Sequence, residues 1–428
     1  MAETTSREAA EAEDSEAELD FEYTDGFTSR LSYWLRQESD HQWLSMGVFI
    51  GIVIVIALVI QQSSIMPGIE TTKLVDSDNR VLDIAWNEDG STALMVVSTA
   101  GGPVVQKWDD GGVSNLTFDQ PRTVERITNG WLIGGESGQV GRCIDDCDSL
   151  SLMALDWQNS SISGYRIVDI TSVDGVSGYL LINSYLYSSS DGNGTASDRG
   201  GTWSSSVRYF SNDVVSPAGF FPEDMSISQI SASKSTVIAC GNGWFGLSSA
   251  SSNARGVIYS VNGDDTSIAP DLSLRHIGNG GYHSIILNAD DSQITIIGLA
   301  DVVSIDADDS LVTIDGTSGA PAAAIDGNGD IWLAGDFSSG QMEKIANGSY
   351  DAELVQINAI NGLDVDVGTS RGSGVEFHGM ANSGSSAVGY DYASASSLYS
   401  LDYFVKMVYV FAGFAVFAVM IWSIREKV

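Results

Sequence analysis

A short apolar run ending in a small residue recurs along the middle of this chain, and that recurrence restricts the fold more than any other feature. The runs are ALMVV at Ala93, WLIGG at Trp131, YLLIN at Tyr179, TVIACG at Thr236, ITIIGL at Ile294, IWLAG at Ile331 and SAVGY at Ser386. Each is too short for a stable helix and is bounded by turn residues, which marks it as a buried strand. After most of them comes another strand-like run and then an acidic or Gly-bearing turn. Examples are VVQKW before Asp109-Asp110-Gly111-Gly112, VGRCI before Asp145-Asp146, and GVIYSV before Asn262-Gly263-Asp264-Asp265. The clearest unit is Ala322–Asn358. It predicts strands at Ala322–Ile325, Ile331–Gly335, Gln341–Ile345 and Glu353–Ile357, with Asp326-Gly327-Asn328-Gly329 and Asn347-Gly348 supplying the left-handed turn positions.

Four antiparallel strands cannot bury both faces alone, so each unit needs neighbours like itself. The expected fold is all-β, a seven-bladed β-propeller over 71–401, with six or eight blades as alternatives. The last unit is expected to reach its third strand near Ser396–Leu401 and to lack a fourth, while a spare strand-like stretch, Thr71–Val75, precedes the first unit at Val81–Trp86. Pairing that N-terminal strand with the last blade closes the ring.

Two apolar segments bracket the repeats. Residues 44–65 contain MGVFIGIVIVIALVI without a charge, and 403–424 end at Trp422 with Arg425 and Lys427 beyond. Both are long enough to cross a hydrocarbon layer as transmembrane α-helices. Small residues Gly47, Gly51, Ala412, Gly413 and Ala415 would let another membrane helix or subunit approach closely. Residues 1–25 form an acidic segment with too few aliphatic residues to build a core. In 26–43, Phe27, Leu31, Trp34 and Leu35 share one helical face with Arg30 and Arg36 beside it, an interfacial pattern. The basic residues of 425–428 place both termini in the cytoplasm and the repeats outside the plasma membrane. The sequons at Asn115, Asn159, Asn193 and Asn347, candidate N-glycosylation sites, all fall in that outer region.

The 428 residues carry a formal charge of −36, which excludes nucleic acid as a partner because nothing would neutralise the phosphates. Such an excess of acid also matches salt-adapted proteins, as in archaea of marine habitats. Cys143 and Cys147 bracket a turn and form a disulfide candidate, whereas Cys240 lies on an apolar strand. Asp326, Asn328 and Asp330 alternate as in a Ca²⁺ loop, but no Glu stands at the twelfth position, so a structural turn is the competing reading. No other cofactor is expected. His276, His283 and His378 are scattered over different units, and Trp86, Trp108, Trp131, Trp157, Trp203, Trp244 and Trp332 stand at repeat-like places that suit blade packing.

Trp86-Asn87-Glu88-Asp89-Gly90-Ser91 followed by ALMVV resembles the first hairpin of WD40-like propellers. The stretch from Ser197 through Asp198, Gly200 and Thr202 to Trp203 resembles the Asp-box of sialidase-like and sortilin-like propellers, with Ala196 where the leading Ser would stand. These resemblances imply architecture and hairpin locks, without transferring an activity. A sialidase-like enzyme would need an Arg cluster, and Arg122, Arg126, Arg142, Arg166, Arg208, Arg255, Arg275 and Arg371 are spread widely enough over the repeats to leave one open. No nucleophile elbow, zinc-helix or phosphate-loop motif is present. The sequence therefore reads as a non-catalytic, membrane-tethered scaffold for protein or glycan partners. The alternative is an ectoenzyme, sialidase-like or another hydrolase, acting at the central funnel.

Overall fold

The computed structural model describes residues 69–391, apart from 110–111, 159–163, 188–200, 223–224, 234–235, 244–254, 289–292, 336–340 and 357–361. It also describes the isolated residues Gly51, Met407, Phe411 and Gly413, all helical. The chain divides into two compact units, one of 1–62 with 413–428 and one of 63–412, and the described strands all belong to the second. No helix among the described residues is long and apolar enough to cross a membrane, and both expected spans fall almost wholly outside those residues.

Seven antiparallel sheets form the propeller. Blade 1 runs Arg80–Trp86, Ala93–Thr99, Gly102–Asp109 and Gly112–Leu116. Blade 2 runs Pro121–Ile127, Gly130–Gly135, Val140–Ile144 and Leu150–Leu152. Blade 3 has Arg166–Thr171, the long hairpin Ser177–Tyr187 with Gly201–Ser211, and a broken outer strand, Val214–Val215 then Gly219–Phe220. Blade 4 runs Met225–Ala232, Val237–Gly243, Arg255–Asn262 and Asp271–Ile277. Blade 5 runs Tyr282–Leu287, Gln293–Gly298, Val302–Asp306 and Leu311–Thr313. Blade 6 runs Ala322–Ile325, Ile331–Ala334, Gln341–Ile345 and Ala352–Gln356. Blade 7 runs Asp364–Arg371, Gly374–Ala381 and Gly384–Tyr390, and takes its fourth strand, Ile69–Thr72, from the start of the ring.

Alternation along the second strands explains why they read as continuous apolar runs. Leu94 and Val96 enter the core shared with blade 2, whereas Ala93, Met95 and Val97 enter the core facing blade 7. Likewise Leu333 packs toward blade 5 while Trp332 and Ala334 pack toward blade 7. A strand between two cores needs apolar residues on both faces. Each fully buried Leu, Val or Met among them contributes about 1.5–3 kcal/mol.

Two details differ from the sequence-based expectation. SAVGY is the third strand of blade 7, not the second; the second is GVEFHGMA, whose Glu376 and His378 interrupt the apolar run. The ring's last strand therefore ends at Tyr390, before Ser396–Leu401. The closing strand is Ile69–Thr72 in register with Tyr390–Ala387, rather than Thr71–Val75. Leu74 and Val75 leave the ladder and fill the core between blades 7 and 1.

Candidate functional site

First strands from the seven blades surround a central channel of about 690 Å³. Six of these strands carry a β-bulge in their pairing with the second strand, between Val81 and Asp83, Pro121 and Thr123, Ile167 and Asp169, Ile227 and Gln229, Tyr282 and Ser284, and Val365 and Val367. A bulge leaves a backbone group without its ladder partner and re-aims the neighbouring side chain. In blades 1, 3 and 4 the residue after the bulge reaches across to the next blade. Asp83 Oδ2 accepts from Val124 N–H at 2.9 Å and from the Thr123 hydroxyl at 2.8 Å. Asp169 Oδ2 accepts from Ile230 N–H at 2.6 Å, and Gln229 Oε1 from Ile285 N–H at 2.5 Å.

Blades 1 and 3 use Asp at this position, and the two carboxylate oxygens do different jobs. Asp83 Oδ1 and Asp169 Oδ1 each accept from their own following N–H, Ile84 and Ile170, both at 2.9 Å. The preceding blades hold Val367 and Thr123 there, and neither supplies an acceptor to those two N–H groups in the way Asp83, Asp169 and Gln229 do for the blades that follow them. A single Asp therefore satisfies its own orphaned donor and its neighbour's.

Three carboxyls, Asp83, Glu125 and Asp169, line one side of the channel. Burial raises the Asp83 carboxyl, opposed by the N–H groups of Val124 and Ile84 and the Thr123 hydroxyl. Glu125 is pushed well above the ordinary carboxylate range by burial, then by the charges of Asp169 and Asp83. Asp169 is likewise raised well above its usual value, burial first, with the Ile230 N–H opposing. The opposite wall is neutral, with Ser284, Ala324 and Thr369. His283 Nε2 lies 2.6 Å from Ala320 O, a hydrogen bond in which the ring N–H donates, and burial lowers its pKa.

Near the start of these strands, Arg122 and Arg166 both pair with Glu136, and Arg80 pairs with Asp366. Arg126 stacks over Trp131 and donates to Gly130 O, and Arg208 is buried against Trp157 and Tyr165. The arginines that approach one another thus meet carboxylates of this chain, and no Tyr lines the channel among the described residues.

The residues singled out by sequence occupy other places. Cys143 and Cys147 form a disulfide in the turn after the third strand of blade 2, both sulfurs buried in the core between blades 1 and 2. Asp326 accepts from Asn328 N–H and Asp330 N–H through Oδ1 and from Trp332 Nε1 through Oδ2. Asp330 accepts from Asn347 N–H and pairs with Lys344 at 2.8 Å, so these carboxylates lock a hairpin. Among the described residues no group of three His, Cys, Asp or Glu is placed to hold a metal ion. Asn115 lies on the outer strand of blade 1, its side chain accepting from Gln106, and the Asn347 amide donates to Asn328 O. Asn159, Asn193, Asp198, Gly200, Gly47, Ala412 and Ala415 lie outside the described residues. Thr202 and Trp203 stand in the third strand of blade 3, in register with Leu186 and Tyr185. Gly51 and Gly413 have open space where a Cβ would stand. Trp86, Trp108, Trp131, Trp157 and Trp332 pack in cores between blades.

Asp83, Asp169 and Gln229 were not legible as a group, yet a signal exists. In VLDIAW, RTVERI, IVDIT and ISQIS a polar residue (Asp83, Thr123, Asp169 and Gln229) stands just before a buried Ile or Val at the same place in each strand, whereas Glu125 lies two residues beyond it.

No protein-family model matches the sequence, and no curated protein is recognisably similar to it. Solved structures are similar in fold. The WD40 β-propeller domain of Doa1 is 11% identical, with a TM-score of 0.50 over 77% of this chain and 99% of that one. The β-propeller domain of Myceliophteria thermophila Cps50 (Swd1) is 9% identical, with a TM-score of 0.49 over 75% and 99%. YCF48 bound to D1 peptide is 14% identical, with a TM-score of 0.47 over 76% and 97%. At this level of identity the likeness concerns fold alone: the chain carries a seven-bladed β-propeller closed by its own N-terminal strand, similar in fold to a WD40 propeller domain.

Proposed function

We propose that this chain is a non-catalytic interaction scaffold, tethered to the plasma membrane by 44–65 and 403–424, with the propeller outside and both termini in the cytoplasm. The observation that carries this reading is the pairing of Ile69 with Tyr390. The chain enters and leaves the ring at one end of one blade, which suits two neighbouring tethers. The Cys143–Cys147 disulfide supports an oxidising compartment. A non-catalytic role is supported by the channel groups, because Asp83, Asp169, Gln229 and His283 already hold backbone partners. The outer faces of the disc then serve protein or glycan partners, and the tethers suit companion membrane subunits.

One observation favours a second reading, a hydrolase acting in the channel. Glu125 has its pKa raised well above the ordinary range inside a cavity, which is the state a general acid needs. The two readings separate in one experiment on intact cells carrying tags at both ends of the chain. Added protease should cut within the ring and leave both tags protected; cleavage of either tag would overturn the proposed topology. Partners captured after mild solubilisation should be retained equally by the wild type and E125Q. A hydrolytic activity present in the wild type and abolished in E125Q would replace the scaffold with the hydrolase.

A further inference from the structure

Three features meet at blade 7 and its seam with blade 1. First, blade 7 is completed without a covalent hairpin. In blades 1 to 6 the third and fourth strands are joined by a turn, whereas Ile69–Thr72 reaches Gly384–Tyr390 from the far end of the ring sequence. A pair without that connection loses the high local concentration a short loop provides.

Second, the second strand of blade 7 faces blade 1 with charge. The corresponding positions are Leu94 and Val96 in blade 1, Ile238 and Cys240 in blade 4, and Trp332 and Ala334 in blade 6. In blade 7 they are Glu376, fully buried, and His378, 3% exposed. Glu376 Oε1 accepts from the Thr72 hydroxyl of the closing strand at 2.9 Å and stands 3.3 Å from Arg371 Nη1. Glu376 Oε2 is 3.3 Å from His378 Nε2. Arg371 in turn lies over the rings of Trp86 and Trp108 and donates to Gly90 O, all in blade 1. Burial alone would raise the Glu376 carboxyl, but His378, Arg371 and Thr72 hold it below its usual range, so Glu376 is ionised at neutral pH. A buried ion cluster carries a desolvation penalty that is relieved when water enters, unlike an apolar core. Third, the bulge residue that crosses to the next blade in blades 1, 3 and 4 is Val367 here, which has no acceptor to offer.

We propose that the ring opens at this seam ahead of any other, with Ile69–Thr72 acting as a releasable clasp and the Glu376–His378–Arg371 cluster as its latch. Because the chain enters and leaves at the clasp, tension between its flanking segments loads the Ile69–Tyr390 pair first. This inference rests on the ring alone and holds whether or not the flanking segments cross a membrane.

Hydrogen exchange on the full chain in detergent micelles, read by peptide, tests it. Amides of 384–390 should exchange about tenfold faster than those of 302–306, the third strand of blade 5. T72V removes one hydrogen bond to a charged group and should speed exchange at 384–390 by about a further tenfold, leaving 302–306 unchanged. Equal rates at 384–390 and 302–306, no effect of T72V at 384–390, or a T72V effect shared by all blades would overturn the clasp.

Discussion

Replacing Asp83 by Ala removes the acceptor for three donors at once: the N–H groups of Ile84 and Val124 and the Thr123 hydroxyl. The hydroxyl can turn to the channel, but the two backbone donors cannot move with their strands fixed. Each buried donor left without a partner costs about 1–3 kcal/mol. Against this, the substitution relieves a carboxyl that burial disfavours and that repels Glu125. The expected net loss is about 2–4 kcal/mol, which for a ring of this size lowers Tm by about 3–6 °C. D83N keeps one carbonyl oxygen and should lose about half as much. T123V measures the remaining contact: in the D83A background it should have almost no further effect, giving a coupling of about 1 kcal/mol. Thermal unfolding of the full chain, followed by circular dichroism, reads the wild type and all four variants. A D83A variant as stable as the wild type, or D83N less stable than D83A, would refute the argument that the bulge donors are satisfied from this side chain.

Two further outcomes follow from the same geometry. Glu125 has a folded pKa raised above its unfolded value, so its contribution to stability is fully present below about pH 4 and is lost as pH rises through the folded pKa. E125Q should therefore raise Tm at pH 8 and have little effect at pH 4; equal shifts at both would show that its charge is not the cause. D326A frees the N–H groups of Asn328 and Asp330 and the indole of buried Trp332, and should cost about 2–4 kcal/mol. Adding Ca²⁺ or EDTA to the wild type should leave Tm unchanged, and a Ca²⁺-dependent rise would restore the ion-loop reading of Asp326, Asn328 and Asp330.

How far the fold could be read from the sequence depended on which physical signal each strand carried. Second strands such as ALMVV and IWLAG lie between two apolar cores, so continuous apolar runs located them, and the third strands followed from the turns behind them. Blade 7 broke that signal. Its Glu376 and His378 serve the closing seam, so the apolar SAVGY carries the pattern of a second strand although it is the third. The closing strand was placed too late because Leu74 and Val75 continue the β-like pattern while turning into the core. The channel residues were missed for another reason. Asp83 and Asp169 look like ordinary polar positions on half-exposed strands, and only the bulge turns them toward the next blade. Their shared place before a buried Ile is visible once the first strands are aligned on their bulges.

Ring closure by the N-terminal strand underlies the architecture, the clasp and the adjacent exits of the chain. Cysteine pairing tests it most directly, since Cys143 and Cys147 are already joined and Cys240 is buried. In the full chain, E70C with G389C places two cysteines at directly opposed positions of the ladder, and E70C with A387C places them two residues out of register. Under mild oxidation, peptide mass spectrometry should find the 70–389 disulfide formed in most molecules and the 70–387 disulfide in few. Failure of the first pair to form in folded protein, or equal formation of both, would contradict the closure described.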